Sequence, residues 1–259
     1  MVLESVGLTA SADTDKKKLP EKYEETIRMS EWLIADCYVE DPEGGAVNFI
    51  PHLDGEPTTV FRAARGCAPH PPDHYRGIVI TGSAASVTER EDWVIDLVDY
   101  IQGACRANVP VLGVCFGHQV LAEALVGPHA IRKSPTPEVG WYDIHQDASD
   151  PLLQGLPSSF RTFLSHHDDV RPDIVSSLQV LAHSQRCPVQ AFRKPGSLTW
   201  GVQFHAEMAL SEAIDLVHRR VGVSVPGDPK KALDRATDST HIIHLIMANF
   251  TRLVRQSIK

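Results

Sequence analysis

The chain has 259 residues, 42% of them hydrophobic, and a formal net charge of -8. That length and apolar content suit one large α/β domain with a sizeable core. The acidic balance argues against nucleic acid or an anionic membrane as the main partner, because both are met by basic patches.

In chain order, residues 1–20 are polar and lack periodicity, which predicts a flexible N-terminal tail, with the structured domain over 21–259. They show no apolar stretch ahead of a cleavage site, so no secretory leader is expected. No apolar run reaches the roughly 18 residues of a membrane span. A charged segment from Glu21 to Ser30 has helical character, and Glu31 to Tyr38 reads as a buried first strand. Thr59 to Ala63 reads as a second strand. Gly77 to Ser83 is an apolar strand ending in a small-residue turn. From Asp92 to Ala107, Trp93, Leu97, Ile101 and Ala104 recur at helical spacing. Val109 to Val114 is another buried strand, and a helix through Val120 to Val126 follows Cys115. Strand, helix, strand, helix predicts a mostly parallel central sheet flanked by helices. Shorter strands are expected over Trp141 to His145, Arg161 to Leu164, Leu178 to His183, Val189 to Arg193 and Leu198 to Phe204. Gly222 to Asp238 is rich in Pro, Gly, Lys and Asp and reads as a loop insertion. His241 to Val254 closes the chain as a helix with Ile242, Leu245, Ile246, Phe250 and Leu253 on one face.

There are five cysteines, Cys37, Cys67, Cys105, Cys115 and Cys187, and no pair has CxxC spacing. An odd count without a framework points to reduced thiols and a cytoplasmic setting. Cys115 stands apart. Gly113-Val114-Cys115-Phe116-Gly117 has the form G-x-nucleophile-x-G between a buried strand and a helix. That is a nucleophile elbow: a strained turn, flanked by small residues, with the following helix pointing its N-terminus at the sulfur. The Phe116 N–H is then placed to hold a developing oxyanion. The alternative is a buried structural thiol, which is how the other four cysteines read. His205 and Glu207 lie two residues apart after the apolar stretch Trp200 to Phe204. On an extended chain they share a face, so the carboxylate reaches the ring. Taken alone, a polar strand end explains them equally well.

Gly113-Val114-Cys115-Phe116-Gly117-His118-Gln119 resembles the G-[IV]-C-x-G-x-Q elbow of class I glutamine amidotransferases. Trp200-Gly201-Val202-Gln203-Phe204-His205-Ala206-Glu207 is similar to their W-G-x-Q-F-H-P-E signature, and Thr81-Gly82-Ser83-Ala84-Ala85-Ser86 to their S-G-G-P-x-S loop. Glu138-Val139-Gly140-Trp141 and Ser165-His166-His167-Asp168-Asp169-Val170 resemble segments of the stand-alone branch that includes γ-glutamyl peptidases. The resemblance covers about residues 30 to 255 and implies a flavodoxin-like α/β domain. It implies hydrolysis of a γ-glutamyl amide, in a γ-glutamyl peptide or a glutathione-derived conjugate. Cys115 would form a glutamyl thioester, His205 would move the proton, and Glu207 would orient the imidazole. The N–H groups of Ser83 and Phe116 would form the oxyanion hole, with Gly82, Gln119 and His166 at the substrate. The expected partner is a small γ-glutamyl molecule. The alternatives are a glutaminase subunit passing ammonia to a separate synthase, and a catalytically idle binding protein.

Three positions depart from the pattern. Ala206 replaces the usual proline, Ser83 and Ala84 replace Gly-Pro, and Leu125-Val126-Gly127 replaces L-G-G. None removes a triad side chain. No cofactor or metal is expected: His166-His167-Asp168-Asp169 is dense in ligand types, but adjacent residues point apart. His241 and His244 share a helix face without a third ligand. Gly82-Ser83 has no Walker lysine after it, so a phosphate loop is not expected.

Overall fold

The computed structural model describes residues 31–39, 45–66, 68, 70–173 and 176–257. The expected tail, the Glu21–Ser30 segment and Cys67 lie outside the described residues. Nine strands form one sheet: β1 (Trp32–Asp36), β2 (Thr58–Arg62), β3 (Gly77–Ile80), β4 (Val111–Val114), β5 (Ile131–Gln146), β6 (Ser159–Val170), β7 (Gln179–His183), β8 (Ala191–Arg193) and β9 (Thr199–Val202). The helices are α1 (Asp92–Arg106), α2 (Phe116–Val126), α3 (Leu210–Arg220), α4 (Pro229–Leu233) and α5 (Thr240–Ser257).

The strand order is β2-β1-β3-β4-β9-β8-β7-β5-β6. The half from β2 to β9 is parallel, and the half from β9 to β6 is antiparallel. Successive residues of a strand face opposite sides of a sheet, and β1 is buried on both. Trp32 and Ile34 enter the core layer completed by Ile242, Ile246 and Phe250 of α5. Leu33 and Ala35 enter the opposite layer, completed by Leu97 and Ile101 of α1 and Val120 and Leu121 of α2. This double coverage is why the strands read as unbroken apolar runs.

Three parallel neighbours, β3, β4 and β9, end along one edge of the sheet, the usual place for a ligand crevice in an open α/β fold. Thr81-Gly82-Ser83 leaves β3, Cys115 leaves β4 and His205 follows β9.

Several elements differ from the sequence expectation. Strands β5 and β6 run well beyond the apolar cores at Trp141–His145 and Arg161–Leu164. The added residues include buried Glu138, Ser165, His166, Asp168 and Asp169, whose polarity hides the strand pattern. Helix α3 is an addition to the expected elements: Leu210, Ala213, Ile214 and Val217 recur at helical spacing, with Ala213 and Val217 buried and packed near Val139, Trp141 and Phe163. Glu212 steadies its start by accepting from the Ala209 N–H at 2.8 Å. The Gly222–Asp238 segment is not all loop. Asp228 accepts from the Lys230 N–H at 3.0 Å and caps α4, and the Trp141 indole donates to the Thr237 carbonyl at 2.7 Å, tying the segment to β5.

Candidate active site

Cys115 lies at φ 51°, ψ -104°, left-handed backbone that an L-residue adopts at a cost of about 1–2 kcal/mol. Its surroundings hold it there. Its N–H donates to the Val202 carbonyl at 2.8 Å, its carbonyl accepts from Gln119 N–H at 3.1 Å, and Gly117 N–H donates to the Thr81 carbonyl at 3.2 Å. The flanking glycines are required by space. A Cβ at Gly113 would lie 2.3 Å from the Gly117 oxygen, and one at Gly117 would lie 2.3 Å from the Ile80 oxygen. Helix α2 begins at Phe116 rather than Val120, and Phe116 N–H has no acceptor within the helix.

His205 Nδ1 bonds Glu207 Oε1 at 2.6 Å, and the imidazole is also hydrogen-bonded to Cys115. Both residues lie past the end of β9, so a loop rather than an extended strand brings the carboxylate to the ring. Phe163 anchors that loop, its carbonyl accepting from His205 N–H at 2.8 Å. Burial opposes a charged imidazole, but the charges on Cys115 and Glu207 and the bonds to both outweigh it, holding His205 well above its ordinary value. His205 therefore carries its proton beside the sulfur. Burial pushes the thiols of Cys37, Cys105 and Cys187 up, so they stay neutral. His118, buried in the core beside Phe192, is neutral for the same reason, its pKa pushed down to about 3.

A cavity of about 410 Å³ opens over Cys115 and is lined by Ser83, Phe116, Gln119 and His166, among others. The φ of Ser83 is not positive, so serine in place of glycine is unstrained there. Gly82, expected at the substrate, backs onto His205, and a Cβ there would come 2.7 Å from the imidazole Cε1. The Gln119 amide nitrogen is committed to the Asp168 carbonyl at 2.9 Å and to Gln203 Oε1 at 3.0 Å. The His166 ring spends both nitrogens internally, on the Asp168 carbonyl at 3.0 Å and on Glu138 Oε2 at 2.9 Å. It meets the cavity without a free nitrogen.

Glu138, His166 and Cys187 place ligand-type atoms within 4.8 Å of one another. The group is already satisfied as a hydrogen-bond network: Glu138 also accepts from Ser184 and Gln190, and the Cys187 thiol donates to the Val189 carbonyl. His166 is buried and its neighbour His167 is half-buried.

Two further side chains reach this region without any motif to mark them. The Tyr38 hydroxyl lies 3.3 Å from the position of a Gly82 Cβ. Burial raises its pKa well above the ordinary value, reinforced by the charges of Glu207 and Cys115, so it stays a neutral donor. Arg220, the last residue of α3, lines the cavity and donates to Ser165 Oγ at 3.1 Å.

Residues 58–220 match the family model described as "Glutamine amidotransferase class-I". The chain is 36% identical over 147 residues to a glutamine-hydrolyzing GMP synthase subunit of Ignicoccus hospitalis, covering 57% of this chain and 76% of that protein. It is 34% identical over 114 residues to the same-named subunit of Methanococcus vannielii, covering 44% of this chain and 59% of that protein. In three dimensions it resembles a crystal structure of a glutamine amidotransferase from Thermotoga maritima, with a TM-score of 0.71, 20% identity, and coverage of 87% of this chain and 98% of that one. Among the described residues no helix is long and apolar enough to cross a membrane.

Proposed function

The chain belongs to the class I glutamine amidotransferase family, and on that footing we propose that it hydrolyses the side-chain amide of glutamine to glutamate and ammonia through a thioester on Cys115. The observation that carries this reading is the buried Cys115–His205–Glu207 chain at the floor of an open cavity. The sulfur attacks the δ-carbonyl carbon, and the oxygen takes up negative charge facing the N–H groups of Phe116 and Ser83. Collapse of the tetrahedral adduct breaks the C–N bond, and His205 gives its proton to the departing nitrogen. Water then attacks the thioester. His205 takes a proton from it, glutamate leaves, and the sulfur is restored. Glu207 holds the ring orientation and balances the imidazolium charge throughout.

The names of the relatives support glutamine as the donor and favour an ammonia-supplying subunit beside a separate synthase over the peptidase expected from the peptidase-like segments. A γ-glutamyl peptidase is the second reading, favoured by the placement of Arg220 at the cavity wall. An idle binding protein fits the strained cysteine poorly, because such strain persists where chemistry uses it. Glutamate release from glutamine and from glutathione, with Cys115→Ala as control, tests all three. Cys115-dependent release from glutamine supports the proposal, release from glutathione alone transfers it to the peptidase, and release from neither sinks both.

A further inference from the structure

Histidine rings pair at several places away from the cavity, and the pairs differ in geometry. His70 and His74 stack at 4.1 Å with their planes 26° apart, so their nitrogens lie in separate, nearly parallel planes. His145 and His183 have ring centres 5.5 Å apart, and His183 Nδ1 is bonded to Asp147 at 2.8 Å. His52 and His244 meet in another way: their planes cross at 78°, and Nδ1 faces Nδ1 at 3.2 Å. Along the chain the neighbour of His244 is His241, one turn back on α5; the fold brings His52 to it from 192 residues away.

That spacing is the one a shared cation requires. Metal–imidazole bonds of about 2.0–2.1 Å set two nitrogens about 2.9 Å apart at a right angle and about 3.3 Å apart at the tetrahedral angle. The observed 3.2 Å falls between the two. The rings are also held where they meet. His52 sits in a 3₁₀ turn (Ile50–Leu53), and its N–H donates to the Phe49 carbonyl at 3.0 Å. Phe49 and Leu53, on either side of it, are buried in the same core layer as Ile242, Ile243 and Ile246 of α5. The backbones that carry the two rings are therefore fixed against one core before an ion arrives, which lowers the ordering cost of binding. Burial first, and then the charge of His244, holds the His52 pKa below its ordinary value, so the ring is neutral and its lone pair is available. Asp238, two residues before α5, interacts with the charges of His241 and His244 and adds negative potential on that side. His244 is exposed, which leaves the pair open to solvent.

We propose that His52 and His244 bind a divalent cation of the zinc and nickel class through their Nδ1 atoms, with water in the remaining positions, and that the ion clamps the Ile50–Leu53 turn to α5. Each ring then carries its proton on Nε2. Imidazole selects such ions over magnesium and calcium, which take oxygen ligands. The site is separate from Cys115 and independent of the reaction proposed above.

The test titrates the full-length Cys115→Ala protein with zinc chloride by calorimetry, the substitution removing the catalytic thiol as a competing ligand. Thermal unfolding with and without zinc runs beside it. His52→Ala and His244→Gln are each expected to lose one zinc per chain, or to weaken it at least about tenfold. Each is also expected to lose the zinc-dependent rise in unfolding temperature that this site supplies, since an ion bound only by the folded state stabilises it. His244 is exposed, so His244→Gln leaves the core untouched and keeps the test valid if His52→Ala folds poorly. Magnesium chloride is expected to change neither readout. Zinc stoichiometry, affinity and stabilisation all unchanged in His244→Gln would overturn the assignment and place the ion elsewhere. A magnesium effect equal to that of zinc would overturn it too, since carboxylates such as Asp238 would then be the ligands.

Discussion

Replacing Gly82 with alanine isolates the packing that aims the imidazole. The added Cβ would lie 2.7 Å from His205 Cε1 and 3.3 Å from the Tyr38 oxygen, about 0.7 Å inside the 3.4 Å at which ordinary contact begins. Gly82 is not at positive φ, so the backbone accepts alanine and the whole effect is crowding. The ring has little freedom to yield. It is fixed by the 2.6 Å bond to Glu207, and the backbone that carries it is pinned by the His205 main-chain N–H on the Phe163 carbonyl. Overpacking of this kind costs about 1–3 kcal/mol of stability. A displacement approaching 1 Å at a proton-transfer group costs on the order of a hundredfold in rate. Gly82→Ala is therefore expected to lower kcat for glutamine roughly a hundredfold with KM changed less than about threefold, while urea unfolding shows the smaller loss. Steady-state glutamate release and a denaturant titration measure the two. A Gly82→Ala protein with wild-type kcat would refute the steric account of this glycine, and a large rise in KM at unchanged kcat would return Gly82 to the substrate-contact role expected from sequence.

Two more substitutions probe the elbow and the charge balance. Cys115→Gly is expected to be more stable than Cys115→Ala by about 1 kcal/mol, because glycine accepts φ 51° without a Cβ penalty; equal unfolding midpoints would show that the backbone relaxes once the thiol is gone. Glu207→Gln removes one of the charges that raise the pKa of His205, while the Cys115 contribution stays. In the wild type the protonated ring stabilises the fold fully below the ordinary histidine value of 6.5, and that contribution is lost as pH rises through the raised folded value. The wild-type-minus-Glu207→Gln difference in unfolding free energy is expected to shrink with rising pH across that window; a difference that is flat or grows would contradict the assignment of the charge to His205.

Much of the candidate site is legible along the chain because its constraints are local. Gly113 and Gly117 mark a turn that no side chain fits, the apolar runs of β3 and β4 follow from burial on two faces, and the periodicity of α1 and α5 follows from burial on one. The spacing of His205 and Glu207 is local too, although the loop that joins them is not a strand. What the tertiary structure alone decided is which distant pieces meet. The order β3-β4-β9 brings Gly82, Cys115 and His205 to one edge, and their separation in sequence carries no trace of that adjacency. Glu138 finds His166, Ser184 and Gln190 only because β5, β6, β7 and β8 are laid side by side, and their buried polarity disguises the strands that carry them. Tyr38 and Arg220 have no motif, since a single ring or guanidinium acquires meaning from the cavity it faces. Steric and periodic rules act between near neighbours and so are written in the sequence, whereas the charge and shape of a cavity are sums over residues that only the sheet order and helix packing bring together.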